Sequence, residues 1–148
     1  MEINRLIERH KRIMFDTAPI IYFIEEHDDF GRITDEIFSM MKDDVSYHAF
    51  SSVITIIEVL TQPLKHSRMD IVKKYRKFLL NSSNFAIYSI DQEIAEKAAE
   101  LRAKYGIKTP DAIQFAVGIE NNGTLFVTND MDLKRVTDID VLVLNEYL

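Results

Sequence analysis

Short apolar runs separated by longer amphipathic stretches constrain this chain more than any other feature of its sequence. Residues 13–15, 47–51, 85–90, 125–127 and 141–144 each have the length and content of a short strand, and helical periodicity fills most of the intervals between them. Alternation of this kind is the pattern of an α/β domain with a parallel sheet. The expectation is therefore α/β, a three-layer α/β/α sandwich around a parallel five-stranded sheet.

The punctuation locates the helices. Thr17 as N-cap, with Pro19 near the first turn, starts a helix that runs to about Glu26. Phe30, Ile33, Ile37, Met40 and Met41 recur at helical spacing and predict a second helix. Ser51 or Ser52 caps a third, carrying Ile54, Ile57, Glu58 and Val59, which Pro63 is expected to end. Over 67–80, Val72, Tyr75, Phe78 and Leu79 recur beside the basic residues Lys73, Lys74, Arg76 and Lys77. Asp91 caps the next helix and Gly106 stops it. Thr109 as N-cap and Pro110 as first helical residue then put Asp111 in a first turn, and Asn122 with Gly123 closes that helix. No repeat, low-complexity tract or linker interrupts the series, so residues 1–148 are read as a single domain with one core.

Composition removes several classes of function. At 148 residues with 47% hydrophobic and 28% charged side chains, the chain can bury a substantial core and is not a disordered one. It has no cysteine, which excludes a disulfide framework, a thiolate zinc site and a cysteine nucleophile, and suits a reducing interior. The apolar run at 20–24 is too short for a signal sequence or a membrane span, so the expected location is cytoplasmic, with no membrane partner. His10, His27, His48 and His66 are scattered without zinc-ligand spacing and are read as surface or packing residues. The glycines form neither a P-loop nor a dinucleotide fingerprint. A net charge of −6 argues against nucleic-acid binding by bulk charge. Bound dications can still supply the positive field that a phosphate needs.

Four acids stand out. Asp16 and Asp130 each follow an apolar strand, where ligands of open α/β sheets bind. Asp111 opens a helix, and Glu58 interrupts the apolar series Ile54, Ile56, Ile57, Val59, Leu60. Taken singly, Asp16 and Asp111 read as helix caps or dipole partners. Glu58 is harder to explain that way, because an unpaired buried carboxylate is costly, and a metal or another cation is its expected partner. Together the four suggest oxygen ligation of Mg²⁺ or Mn²⁺. Ions held like this activate water and stabilise a leaving oxygen in phosphodiester hydrolysis. Asp132 is read as a cap. Lys73, Lys74, Arg76 and Lys77, beside Lys65 and Arg68, admit two readings: a solvated helix face, or a track for an RNA backbone.

The segments F-D-T-A-P-I-I-Y from Phe15, T-I-I-E-V-L from Thr55, T-P-D-A-I-Q-F-A from Thr109 and V-T-N-D from Val127 occur in the order and approximate spacing of one family. Along nearly its whole length the chain resembles PIN-domain proteins, and among them the VapC-type toxins of toxin–antitoxin pairs. That resemblance implies a single nuclease domain whose Asp16, Glu58, Asp111 and Asp130 are the catalytic and metal-holding acids, with Thr128 as the supporting hydroxyl. It also implies an Mg²⁺- or Mn²⁺-dependent endoribonuclease acting on RNA, a small antitoxin partner and a homodimer. The alternative is a PIN fold kept as a catalytically inactive RNA-binding or scaffold module. Two departures stand out. Ala18 and Pro19 follow Asp16-Thr17 where many members have Asn, and about ten extra residues precede the first strand, read as a short helix or a partner contact. A haloacid-dehalogenase phosphatase fits worse, since Ala18 stands where its second Asp belongs.

Overall fold

The structure, a computed structural model, describes residues 2–148. Its strands are β1 (Arg12–Phe15), β2 (His48–Ser52), β3 (Phe85–Tyr88), β4 (Leu125–Thr128) and β5 (Asp140–Val143). All pair in parallel, in the order β3-β2-β1-β4-β5. The helices are α1 (Glu2–Glu8), α2 (Thr17–Ile24), α3 (Gly31–Met41), α4 (Val53–Lys65), α5 (Met69–Asn81), α6 (Gln92–Tyr105) and α7 (Thr109–Glu120). The parallel five-stranded sheet expected from the alternation is thus the sheet observed.

Successive residues of a strand point to opposite faces, and the core divides accordingly. Ile13 and Phe15 of β1, with Leu125 and Val127 of β4, face α1 to α5. Met14, Phe50 and Phe126 face α6 and α7, where Ala98, Leu101, Phe115 and Ala116 meet them. Helices therefore cover both faces, giving the α/β/α sandwich. Each fully buried Ile or Phe contributes about 1.5–3 kcal/mol of apolar burial. The ten residues before β1 take part in this core, because α1 sets Ile3 and Ile7, both at 0% exposure, one helical turn apart against it.

Strand order reverses at β1, with β2 and β3 on one side and β4 and β5 on the other. In open parallel sheets a crevice forms at such a point, outside the carboxyl ends of the strands. The Asp16 N–H still donates to the Val127 carbonyl, at 2.9 Å. This bond carries the β1–β4 ladder one residue further and fixes Asp16 at that edge.

Three helix boundaries differ from expectation. Thr17 is not the cap of α2: Asp16 is, accepting from the Thr17 N–H, while Thr17 is already helical and turns its hydroxyl inward. Thr109 is the first residue of α7 rather than its cap, and Lys108 takes the cap position without a side-chain bond. Pro63 lies inside α4, which runs on to Lys65. Proline removes only its own N–H from the ladder, and the helix closes just beyond it, where His66 N–H donates to Gln62 O and Ser67 adopts φ 53°. No helix among the described residues is long and apolar enough to cross a membrane.

Candidate active site

Asp16 has both carboxylate oxygens occupied. Oδ1 accepts from the Thr17 N–H at 2.9 Å, and Oδ2 accepts from the Thr128 hydroxyl at 2.8 Å. The first bond caps α2, and the second crosses from β4. Protein surrounds this carboxylate although the residue keeps some solvent contact, and its pKa is pushed up to about 6. Burial is the main cause, and the negative charges of Asp111 and Glu58 add to it, against the opposing pull of the two hydrogen bonds.

Thr128 also orders the next acid. Its hydroxyl oxygen accepts from the Asp130 N–H at 3.2 Å, and Asp130 then caps the 3-10 helix Met131–Arg135 by accepting from the Asp132 N–H at 3.0 Å. Asp132 is not the cap; it pairs with Arg135 at 3.2 Å. Asp130 itself is exposed.

Glu58 is exposed as well, which corrects the expectation of a buried carboxylate. Thr55 and Val59 are the α4 residues fully turned inward, whereas Ile57, beside Glu58, is 62% exposed. The partner of Glu58 is the Thr17 hydroxyl, which donates to Oε1 at 2.9 Å. Asp111 is half-buried in the first turn of α7. Its pKa is raised, first by burial and then by the charges of Asp130 and Glu58. Asp111 thus lies within electrostatic reach of Asp16, Glu58 and Asp130, and Asp16 within reach of Glu58, the four coming from just beyond β1, from α4, from α7 and from just beyond β4.

Their donor set, carboxylates and a hydroxyl, suits a hard dication. The expected ligand cluster is nonetheless not assembled: among the described residues, no group of three His, Asp or Glu side chains is disposed to hold an ion. Glu58 bonds through Oε1 to Thr17, and Asp130 through Oδ1 to its own helix. Ligation by these residues would require them to draw closer about these bonds, and Glu58 Oε2 and Asp130 Oδ2 carry no hydrogen bond among the described residues.

Beneath the acids lies a buried polar network that sequence reasoning missed. Thr17, Thr55, Ser51, Ser52 and Gln114 are all buried, and they are hydrogen-bonded across α2, α4, β2 and α7. One signal could have revealed it: Gln114 stands within the otherwise apolar inner face of α7, among Ala112, Phe115, Ala116 and Val117. An apolar cleft lined by Phe23, Phe38, Phe78 and Phe85 lies apart from the acids and contains none of them.

Lys73, Lys74, Arg76 and Lys77 are all exposed on the outer side of α5, whose Val72, Tyr75 and Leu79 point into the core. The Tyr75 hydroxyl donates to Glu25 and ties α5 to the end of α2. None of the four cations is ion-paired among the described residues, and the structure does not join them to the acids.

Comparison with known proteins bears on the fold. The family model described as PIN domain matches residues 13–139. No curated protein sequence gives a significant match. Among solved structures, the chain is similar to VapBC2 from Rickettsia felis, solved bound to a DNA fragment from their promoter, with TM-score 0.73 and 20% identity over 89% of this chain and 98% of that one. It is similar to a toxin–antitoxin complex from Klebsiella pneumoniae, with TM-score 0.66 and 23% identity over 90% of this chain and 97% of that one. DNA-bound VapBC from Salmonella typhimurium gives TM-score 0.67 and 19% identity over 90% and 98%. At these identities the likeness is one of fold.

Proposed function

The chain belongs to the PIN domain family, and from that membership together with its four acids we propose that it is a metal-dependent endoribonuclease, the VapC-like toxin of a toxin–antitoxin pair. The observation that carries the reading is Asp16. Its carboxylate is fixed by two hydrogen bonds at the sheet's switch point, yet burial and the neighbouring Asp111 and Glu58 charges disfavour its ionised form. A group held rigidly where its charge is unwelcome is one that a cation would relieve.

In this proposal Asp16, Glu58, Asp111 and Asp130 are the catalytic acids and hold Mg²⁺ or Mn²⁺, with Thr128 supporting Asp16. A dication bound there would polarise the scissile phosphate and lower the pKa of the attacking water. Thr128 keeps Asp16 oriented by donating to Oδ2, and Asp16 keeps α2 started at the rim of the crevice. Lys73, Lys74, Arg76 and Lys77 supply phosphate contacts to RNA along the outer side of α5. Residues 1–148 act as one nuclease domain, a reading supported by the packing of α1 into the common core, and the proposed location is the cytoplasm. A small antitoxin and a homodimer are the proposed partners, by analogy with the toxin–antitoxin complexes of similar fold.

The competing reading, a PIN fold kept as an inactive RNA-binding or scaffold module, draws on the unassembled state of the acids. One experiment separates the two. Labelled RNA is incubated with protein stripped by EDTA, then with Mn²⁺ or Mg²⁺ restored. Cleavage only after restoration supports the enzyme. RNA binding without cleavage under every metal condition supports the scaffold.

A further inference from the structure

We propose that Gln114 is a positioning residue, whose buried carboxamide sets the placement of Glu58, and through it cation binding, by fixing the hydroxyls of Thr55 and Thr17. The inference rests on the metal-site reading above and extends it to a residue that touches neither cation nor substrate.

Gln114 lies one turn beyond Asp111 on α7, at 1% exposure. Its Oε1 accepts from the Ser52 hydroxyl at 2.5 Å, and Ser52 is the N-cap of α4, the helix that carries Glu58. Its Nε2 donates to Thr55 Oγ1, in the first turn of the same helix, at 2.9 Å and approaches Thr17 Oγ1 at 3.4 Å. Thr17 in turn serves two acids. Its N–H donates to Asp16 Oδ1 and its hydroxyl donates to Glu58 Oε1. A single amide therefore joins the helix of Asp111, the helix of Glu58 and the residue that orients both Asp16 and Glu58.

The directions of the bonds explain why an amide is needed. A hydroxyl has one proton, and Thr17 spends its own on Glu58 while Ser51 spends its own on the Phe15 carbonyl. Thr55 lies between them, 3.0 Å from Thr17 Oγ1 and 2.8 Å from Ser51 Oγ. With its neighbours' protons committed elsewhere, Thr55 must donate, and Gln114 Nε2 fills its acceptor side. A residue that only accepts would meet a lone pair there, and an apolar residue would leave Thr55 free to turn and take the Thr17 proton away from Glu58. Removing such outer partners of a metal ligand typically lowers metal affinity by about 10–100-fold.

The test compares the full chain with Gln114→Met, Thr17→Val and Thr17→Ser, reading Mn²⁺ affinity directly by paramagnetic resonance and RNA cleavage in parallel, on proteins shown to be folded by circular dichroism. Thr17→Val removes the hydroxyl without changing shape, and Thr17→Ser restores it, so the pair remains informative if Gln114→Met fails to fold. The expected result is Mn²⁺ affinity at least about tenfold weaker in Gln114→Met and Thr17→Val, with Thr17→Ser near the parent. Folded Gln114→Met or Thr17→Val binding Mn²⁺ as the parent does overturns the positioning role while leaving the nuclease reading intact. A parent that binds no Mn²⁺ and cleaves no RNA overturns both.

Discussion

Replacing Asp16 by Asn should make the metal-free protein more stable at neutral pH while ending its activity. The folded-state pKa of Asp16 is about 6, against 3.8 for the unperturbed group. A carboxyl whose pKa is raised on folding binds its proton more tightly in the folded state, so its contribution to stability is fully present below the unfolded pKa. That contribution is lost as pH rises through the folded value. At 1.36 kcal/mol per pKa unit the ionised group costs the fold about 3 kcal/mol above neutrality, an order-of-magnitude figure. The neutral amide of the variant would escape this cost. It can still accept from the Thr17 N–H, and the Thr128 hydroxyl, which donates to Asp16 in the parent, can turn to accept from the amide. Urea denaturation in EDTA, run from about pH 4 to about pH 8, measures the difference between variant and parent, in which titration of the other acids largely cancels. The variant should gain roughly 2–3 kcal/mol near pH 8 and almost nothing near pH 4. Added Mg²⁺ should reverse the order, because a ligand of the folded state stabilises the protein that binds it. A variant less stable than the parent at pH 8, or a difference that does not change with pH, would refute the account of Asp16.

Asp111→Asn should abolish cleavage and also stabilise the metal-free protein near neutral pH, since burial and the charges of Asp130 and Glu58 raise the Asp111 pKa; melting in EDTA checks the sign. Replacing Lys73, Lys74, Arg76 and Lys77 together by Gln should weaken RNA binding and flatten its salt dependence, whereas an unchanged salt slope would return this side of α5 to solvent. Gly123→Ala should destabilise the fold by about 1–3 kcal/mol in denaturant titration, because its Cβ would fall 2.7 Å from the Gly118 carbonyl oxygen and 3.1 Å from the Phe50 ring.

Much of the fold was legible because its local signals were strong and agreed with one another. Asp91 caps α6 by accepting from the Ile94 N–H at 3.0 Å, and Gly106 ends that helix at φ 66°, both as their residue types foretold. Other features were set by tertiary context. The near-continuous apolar run around Glu58 gave no facing information, and the exposure of Glu58 is decided by which residues of α4 meet the sheet and α2. Thr17 looked like a cap because threonine often is one; a hydrogen bond to Glu58, forty-one residues away, gives it a different task. The Gln114 network joins residues 17, 51, 52, 55 and 114, a grouping that exists only once α2, β2, α4 and α7 have packed. The acids were recognisable one by one, but the bonds that orient Asp16, Glu58 and Asp130 come from Thr17, Thr128 and the Asp132 N–H, which no motif records.

The most direct test of the central claim is the rate of RNA cleavage as a function of Mn²⁺ concentration for the parent and for Asp16→Asn, Glu58→Gln, Asp111→Asn and Asp130→Asn. The account predicts no cleavage by the parent in EDTA, saturable restoration by Mn²⁺, and a loss of at least about 100-fold in each variant, since each replaces a charged ligand by a neutral one. Cleavage by the parent after exhaustive removal of metal, or rates within a few-fold of the parent in all four variants, would contradict it.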